Sequence, residues 1–359
     1  MTGRDRLKTA MLGGKPDRVP FMPQICFPHA VRQIEENYEQ GIIRCVEDVD
    51  YRMELMFEIT KQYHSDGFRI QGVDSRPLRV VRESGLPIVY QAETGEMIGK
   101  LNFSTGGIES TLYPVHSMED AAQIPVPSID NLIETKEFKL FKTACAWAPD
   151  LNKVGSLAVG ISWLVQARGT EQAFFDLYDN PDLVDLILSR SLEAAIVRAK
   201  AMHQCGFDTL YIGDPWSSCS VMSPEIFERF AFPCFKQFVE AVRVLEMPVY
   251  AHICGNVAPI LERIVNTGVH CIEPMDPLGG LSAADYRERV QQRVALMGGV
   301  NTVTLSTGTP DQVREEAQAC ITGAGLDGAY ILAAGDMVPT ETPRENVLAM
   351  WDVALRNSY

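Results

Sequence analysis

The densest chemistry in the chain lies in Tyr250-Ala251-His252-Ile253-Cys254-Gly255-Asn256. Alternate residues of a strand face the same side, so His252 and Cys254 point together, just before Gly255 ends the strand. Imidazole and thiolate are both good zinc donors, and at this spacing the pair can share one ion. The alternative is that both are buried core residues. Other strand-like runs end in carboxylates: Asp214 in Tyr211-Ile212-Gly213-Asp214, Glu273 and Asp276 in Cys271-Ile272-Glu273-Pro274-Met275-Asp276, and Asp336 after Ala333-Ala334-Gly335. Charge in an apolar strand is expensive without a partner. Each carboxylate could instead cap the loop or helix that follows it.

These residues need elements to hold them. Eight short, nearly continuous apolar runs read as strands: 19–26, 67–74, 156–162, 209–214, 248–255, 271–276, 294–300 and 330–336. Strands covered on both faces look like this. Between them lie helical patterns with good caps. Asn180-Pro181 and Ser223-Pro224 put Pro at the first helical position. Thr309-Pro310-Asp311-Gln312 and Thr342-Pro343-Arg344-Glu345 fit capping boxes, and Ser282-Ala283-Ala284-Asp285 is an Asp-ended version. Eight strands alternating with helices predict an α/β fold, a (β/α)8 TIM barrel whose active site lies at the C-terminal ends of the strands. Ala92-Glu93-Thr94-Gly95-Glu96 reads as a hairpin turn. It predicts a small β-hairpin insertion after the second strand, with 88–128 forming insertion and Pro-rich connection. Without an internal repeat or low-complexity linker, residues 1–359 are expected to form one elaborated barrel domain.

Composition narrows the function. The formal net charge is −15, which argues against a nucleic-acid or anionic-membrane partner, since both need a basic surface. No apolar run reaches the ~20 residues that span a bilayer. Met1-Thr2-Gly3-Arg4-Asp5-Arg6 lacks the apolar segment of a secretory signal. The nine cysteines show no framework spacing. A cytoplasmic protein with mostly buried thiols is expected.

Taken together, several motifs resemble the uroporphyrinogen decarboxylase superfamily, which includes zinc-dependent corrinoid methyltransferases. They are Lys15-Pro16-Asp17-Arg18-Val19-Pro20, Gly169-Thr170-Glu171, Asp214-Pro215-Trp216, Ser223-Pro224-Glu225-Ile226-Phe227, His252-Ile253-Cys254-Gly255-Asn256, Gly298-Gly299-Val300-Asn301, Gly308-Thr309-Pro310 and Thr342-Pro343-Arg344-Glu345-Asn346-Val347. The resemblance implies the barrel independently of strand counting. The decarboxylase branch fits poorly. Its N-terminal motif is rich in Arg, where this chain has Pro23-Gln24-Ile25-Cys26-Phe27-Pro28-His29, and its Gly-His-Gly is here Gly335-Asp336-Met337. Asp74 matches that branch's catalytic Asp, although an Asp at the end of the second strand can also be structural; Asp74 and Asp214 are the candidate catalytic residues.

The methyltransferase branch fits better. Its thiol-methylating members hold zinc through His-x-Cys on the fifth strand and a Cys after Gly on the last. The resemblance therefore implies zinc on His252 and Cys254, with Asp336 in place of the last Cys and Glu273 as an exchangeable ligand. A carboxylate replacing a thiolate makes the site harder and better suited to oxygen. The sequence favours a methyltransferase that demethylates a small substrate, a methyl ether, and passes the methyl group to cobalt(I) of a corrinoid protein. Methyl transfer from the corrinoid protein to a thiol, as in the coenzyme M branch, is the alternative, and a uroporphyrinogen-type decarboxylase the next. No Asp-x-His-x-x-Gly cobalamin loop is present, so the corrinoid is expected on a partner. Phe27, Trp216 and Met337 sit beside strand ends and are candidate substrate-pocket walls. His29 and Gln166 are weaker substrate-binding candidates. Ordinary core packing is the competing reading for each.

Overall fold

Seven of the eight expected barrel strands form one parallel sheet in the computed structural model, which describes residues 1–72, 76–110 and 113–359. They are β1 (Gly67–Ile70), β6 (Asn152–Ala158), β7 (Thr209–Gly213), β8 (Val249–His252), β9 (Cys271–Met275), β10 (Ala295–Val300) and β11 (Tyr330–Ala334), adjacent in that order. Candidate Asp74 lies outside the described residues.

The expected first strand, 19–26, occupies its place but not as a ladder. It pairs with the last strand's side through single bridges, Phe21 with Leu332 and Ile25 with Val338. On its other side the Asp66 N–H donates to Phe21 O at 2.8 Å. Pro20 and Pro23 explain the break, because a proline has no N–H to give a ladder. The eighth stave of this TIM-like barrel is therefore irregular. The third strand begins at Asn152, earlier than expected. Its first two residues are polar but buried, and Lys153 pairs with Asp208 at 2.6 Å.

The insertion is larger than a hairpin. β2 (Leu78–Glu83), β3 (Leu86–Gln91), β4 (Met97–Leu101) and β5 (Ile108–Ser110) form an antiparallel sheet in sequence order. The expected turn at 92–96 joins β3 and β4. The β2–β3 turn is Ser84-Gly85, both at positive φ (49° and 84°), as two-residue hairpins require.

Most caps form as expected. Thr309 and Ser282 each open a helix with a full capping box. Thr342 does not. Pro343 is the N-cap of Arg344–Arg356, and the buried Thr342 hydroxyl has no hydrogen-bond partner. A separate apolar cluster fills the barrel's N-terminal end: Leu7 and Met11 of helix Gly3–Met11 pack on Val154, Tyr250, Cys271, Met297 and Ile331. Below it, Arg6 and Arg18 both bond Asp66, and Arg6 also bonds Asp17. The Lys15–Pro20 motif thus ties the chain start to the barrel base. With that end plugged, chemistry belongs at the C-terminal end. Among the described residues no helix is long and apolar enough to cross a membrane.

Candidate metal centre

His252 ends β8 and Glu273 lies directly beside it on β9 in the parallel register. His252 Nδ1 and Glu273 Oε2 are 2.6 Å apart. That contact leaves Nε2 to face the strand ends, where it lies 3.6 Å from Asp336 Oδ1. Ligand atoms of His252, Cys254 and Asp336 all fall within 4.8 Å of one another. The donor set, one imidazole, one thiolate and one carboxylate, suits zinc with a position left for substrate. The three residues expected to converge are together. Glu273 stands behind them, holding the imidazole by its other nitrogen, as an outer-shell carboxylate does in many metal sites.

Backbone geometry delivers these side chains. Gly255 turns the chain after Cys254 at φ 85°, and its N–H donates to Asp276 Oδ2 at 2.8 Å. A Cβ there would also lie 2.6 Å from Ser220 Oγ. Gly335 lets the end of β11 approach Pro277, where a Cβ would lie 2.5 Å from the ring. The Met337 N–H then donates to Asp336 Oδ1 at 2.8 Å. Burial works against a charged His252, yet the neighbouring Glu273, Tyr211 and Cys254 outweigh it and raise the pKa. Burial raises the Asp336 carboxyl, His252 opposing and Glu273 adding.

Other expected site residues take different positions. Asp276 caps the turn after β9 through Leu278 N–H and also holds Gly255. Asp214 is fully buried and accepts from Ile161 N–H, Ser162 N–H, Ser162 Oγ and Ser217 Oγ. Burial raises its pKa to about 6 against those donors. With both oxygens engaged, Asp214 locks the start of helix Ile161–Arg168 to the end of β7. Asp214→Ala is expected to lower stability by roughly 3–5 kcal/mol, the usual cost of stripping a buried charge network. Urea unfolding checks this; an unchanged midpoint with lost activity would put Asp214 in the chemistry instead.

His29 is fully buried rather than pocket-facing. Its Nδ1 is 3.0 Å from Pro339 O and its Nε2 2.8 Å from the Tyr63 hydroxyl. That pairing fixes a neutral ring: Nδ1–H donates to the carbonyl and Nε2 accepts from Tyr63. Burial pushes its pKa down to about 4 from 6.5. The unfolded chain therefore binds a proton below about 6.5 that the folded chain refuses until about 4. Stability should fall across that window by up to about 3 kcal/mol, at 1.36 kcal/mol per unit. His29→Asn keeps a donor for Pro339 O and does not titrate. Urea midpoints of the two proteins should diverge between pH 7 and 4.5; parallel curves would contradict the assignment.

Phe27 packs beneath the β4–β5 turn, where a Cβ on Gly106 would lie 2.1 Å from its ring. Trp216 meets Phe174 edge-on at 6.0 Å. Gln166 lines a cleft of about 430 Å³ with Trp163, Pro114 and Ile124, on the outer side of helix Ile161–Arg168. Met337 reaches inward, its Sδ 3.2 Å from Arg69 Nη2. Arg69 and Tyr211 are the residues that sequence reasoning missed. Tyr211 lies 5.5 Å from the His252 ring and beneath Arg69 at 4.9 Å. A charge inside the run Phe68-Arg69-Ile70 was the available signal.

A curled parallel sheet carrying a His–Cys–Asp cluster at its C-terminal edge defines a barrel with a candidate metal centre. Residues 86–356 match the family model described as Uroporphyrinogen decarboxylase (URO-D), and the chain belongs to that family. It is 35% identical over 182 residues to methylcobamide:CoM methyltransferase MtaA of Methanosarcina barkeri, covering 50% of each chain. The chain thus aligns with about half the length of that relative. It is 28% identical over 249 residues to methylcobamide:CoM methyltransferase MtbA of Methanosarcina mazei, covering 69% of this chain and 71% of the other. A solved methyltransferase from Methanosarcina mazei superposes with a TM-score of 0.76 at 22% identity, over 99% of this chain and 98% of that one. This likeness supports the fold.

Proposed function

We propose that this chain is a corrinoid-dependent methyltransferase that passes a methyl group from a protein-bound methylcobamide to a small thiol. The observation that carries the reading is the convergence of His252, Cys254 and Asp336 at the C-terminal ends of the barrel strands. The chemistry named for the two similar methyltransferases supports a thiol acceptor.

His252 Nε2, Cys254 Sγ and an Asp336 oxygen would hold zinc. Zinc bound there supplies Lewis acidity that lowers the pKa of a substrate thiol and holds it as thiolate. The chain supplies the rest. Glu273 Oε2 holds His252 Nδ1, which restrains the imidazole and leaves Nε2 facing Asp336. The Met337 N–H fixes Asp336 Oδ1. The plugged barrel floor leaves only the C-terminal end for substrate and partner. Methyl transfer to that thiol would form the S–C bond as the Co–C bond of the methylcobamide breaks, the electron pair staying on cobalt as cobalt(I).

A second reading, demethylation of a methyl ether onto cobalt(I), rests on Asp336: a carboxylate beside one thiolate makes a harder site, suited to a leaving oxygen. One experiment separates the two. The zinc-loaded protein is mixed with methylcobalamin and a short thiol, or with cobalt(I) cobalamin and a panel of methyl ethers, and the cobalt spectrum is followed. Loss of the methyl–cobalt band that needs both thiol and protein supports the proposal. Turnover only with ethers reverses the direction. No turnover above the protein-free control in either arm refutes the methyltransferase reading.

A further inference from the structure

The Arg69 guanidinium is a buried charge beside the candidate centre, attracted by the buried Glu273 carboxylate but hydrogen-bonded to no carboxylate among the described residues. The residue is 8% exposed, and among the described residues neither Nε nor Nη1 has a hydrogen-bond partner. Its third nitrogen meets a thioether, Met337 Sδ, at 3.2 Å. A buried guanidinium normally sits in a fork-to-fork pair with a carboxylate, and leaving its donors empty is costly. The Tyr211 face beneath it, at 4.9 Å, offsets some of that cost but offers no acceptor in the guanidinium plane.

Arg69 also lies in the right place for a substrate contact. It projects from β1 and lies over the Tyr211 ring, which in turn meets the His252 ring at 5.5 Å. The residue that covers it, Met337, follows Asp336 directly in the chain. A small cavity of about 10 Å³ touches Arg69 and Gln24 on the stave side, about the least space that holds one water. A water there could take one donor and leave the other free.

We propose that Arg69 is the anion-recognition group of the substrate site, and that Met337 is its exchangeable cover. This inference rests on the methyltransferase reading for the identity of the reacting end. The substrate is then a short molecule with two ends: a reacting atom at the His252–Cys254–Asp336 cluster and one acidic group, carboxylate or sulfonate, on Arg69. The acid displaces the Met337 thioether and takes two parallel N–H bonds. Because Met337 and Asp336 are consecutive, seating the acid also shifts the backbone that holds Asp336. A neutral substrate would leave the guanidinium unpaired, so discrimination against it should be strong.

The test needs no methyl transfer. Binding of short alkyl carboxylates, alkyl sulfonates and the amide of the same length, none bearing a thiol, is measured by titration calorimetry on the full-length protein. Both acids, or one of them, should bind at least tenfold more tightly than the amide, and the better acid identifies the anion. Arg69→Gln should abolish the preference. Met337→Ala, which leaves the barrel intact, should tighten acid binding several-fold by removing the cover; this variant decides the matter if Arg69→Gln does not fold. Equal binding of acid and amide to the wild type overturns the inference, as does acid binding unchanged by Arg69→Gln or by Met337→Ala. If acids bind as expected but no methyl transfer is found, the functional reading fails and the anion subsite stands. If thiols are methylated with no advantage for an acidic tail, the subsite fails and the functional reading stands.

Discussion

Cys254→Ala protein is expected to emerge from purification folded, free of zinc and at least about 10³-fold slower in methyl transfer. The rate estimate follows from losing several kcal/mol of Lewis-acid stabilisation at 1.36 kcal/mol per tenfold. Folding should survive because the turn after β8 does not hang on the thiol. Gly255 N–H is held by Asp276, Asn256 N–H by Ser220 Oγ, and Asn256 O accepts from Cys219 N–H. The Cys254 side chain is itself only partly buried. His252→Ala should also lose the metal, and it additionally strands the fully buried Glu273. A lower unfolding midpoint is therefore expected for His252→Ala and not for Cys254→Ala. Metal analysis and thermal unfolding of the two variants check both statements. Full zinc occupancy in Cys254→Ala would remove Cys254 from the site.

Asp336 carries the second large effect. Asp336→Ala removes one of three converging donors, so zinc affinity should drop by more than the ~10–100-fold that follows loss of an outer hydrogen-bond partner. Asp336→Cys should restore zinc with a second thiolate and shift preference further towards thiols over ethers, because two thiolates make a softer site. If Asp336 only caps the loop before Pro339, Asp336→Asn would keep metal and rate and lose a little stability. Competition with a chelator, run beside the rate assay on these variants, separates a ligand from a cap.

Much of this was legible in the chain because apolar runs mark buried parallel strands and because residues two apart share a strand face. Seven strands fall where the runs lie, and His252 and Cys254 stand together at a strand end. What escaped depends on register and tertiary contact. Glu273 reads as a ligand in sequence, and only the β8–β9 register shows it beside His252 and behind the cluster. Asp214 reads as a strand-end carboxylate, and spacing gives no hint that its oxygens accept from Ile161 and Ser162, about fifty residues earlier. Pro20 and Pro23 sit inside an apolar run that periodicity reads as continuous. The start of β6 hides in Asn152-Lys153, polar in sequence yet buried against Asp208. Arg69 stands inside the apolar run of β1, and only the closed barrel shows it buried beside Tyr211.

Zinc at the mouth of this barrel should be held by one thiolate, one imidazole and oxygen ligands. X-ray absorption at the zinc edge, on the protein loaded with one equivalent of zinc, tests it most directly. One sulfur neighbour is expected at about 2.3 Å with nitrogen and oxygen neighbours at about 2.0–2.2 Å, the sulfur disappearing in Cys254→Ala. A shell of nitrogen and oxygen alone in the wild-type protein would contradict it.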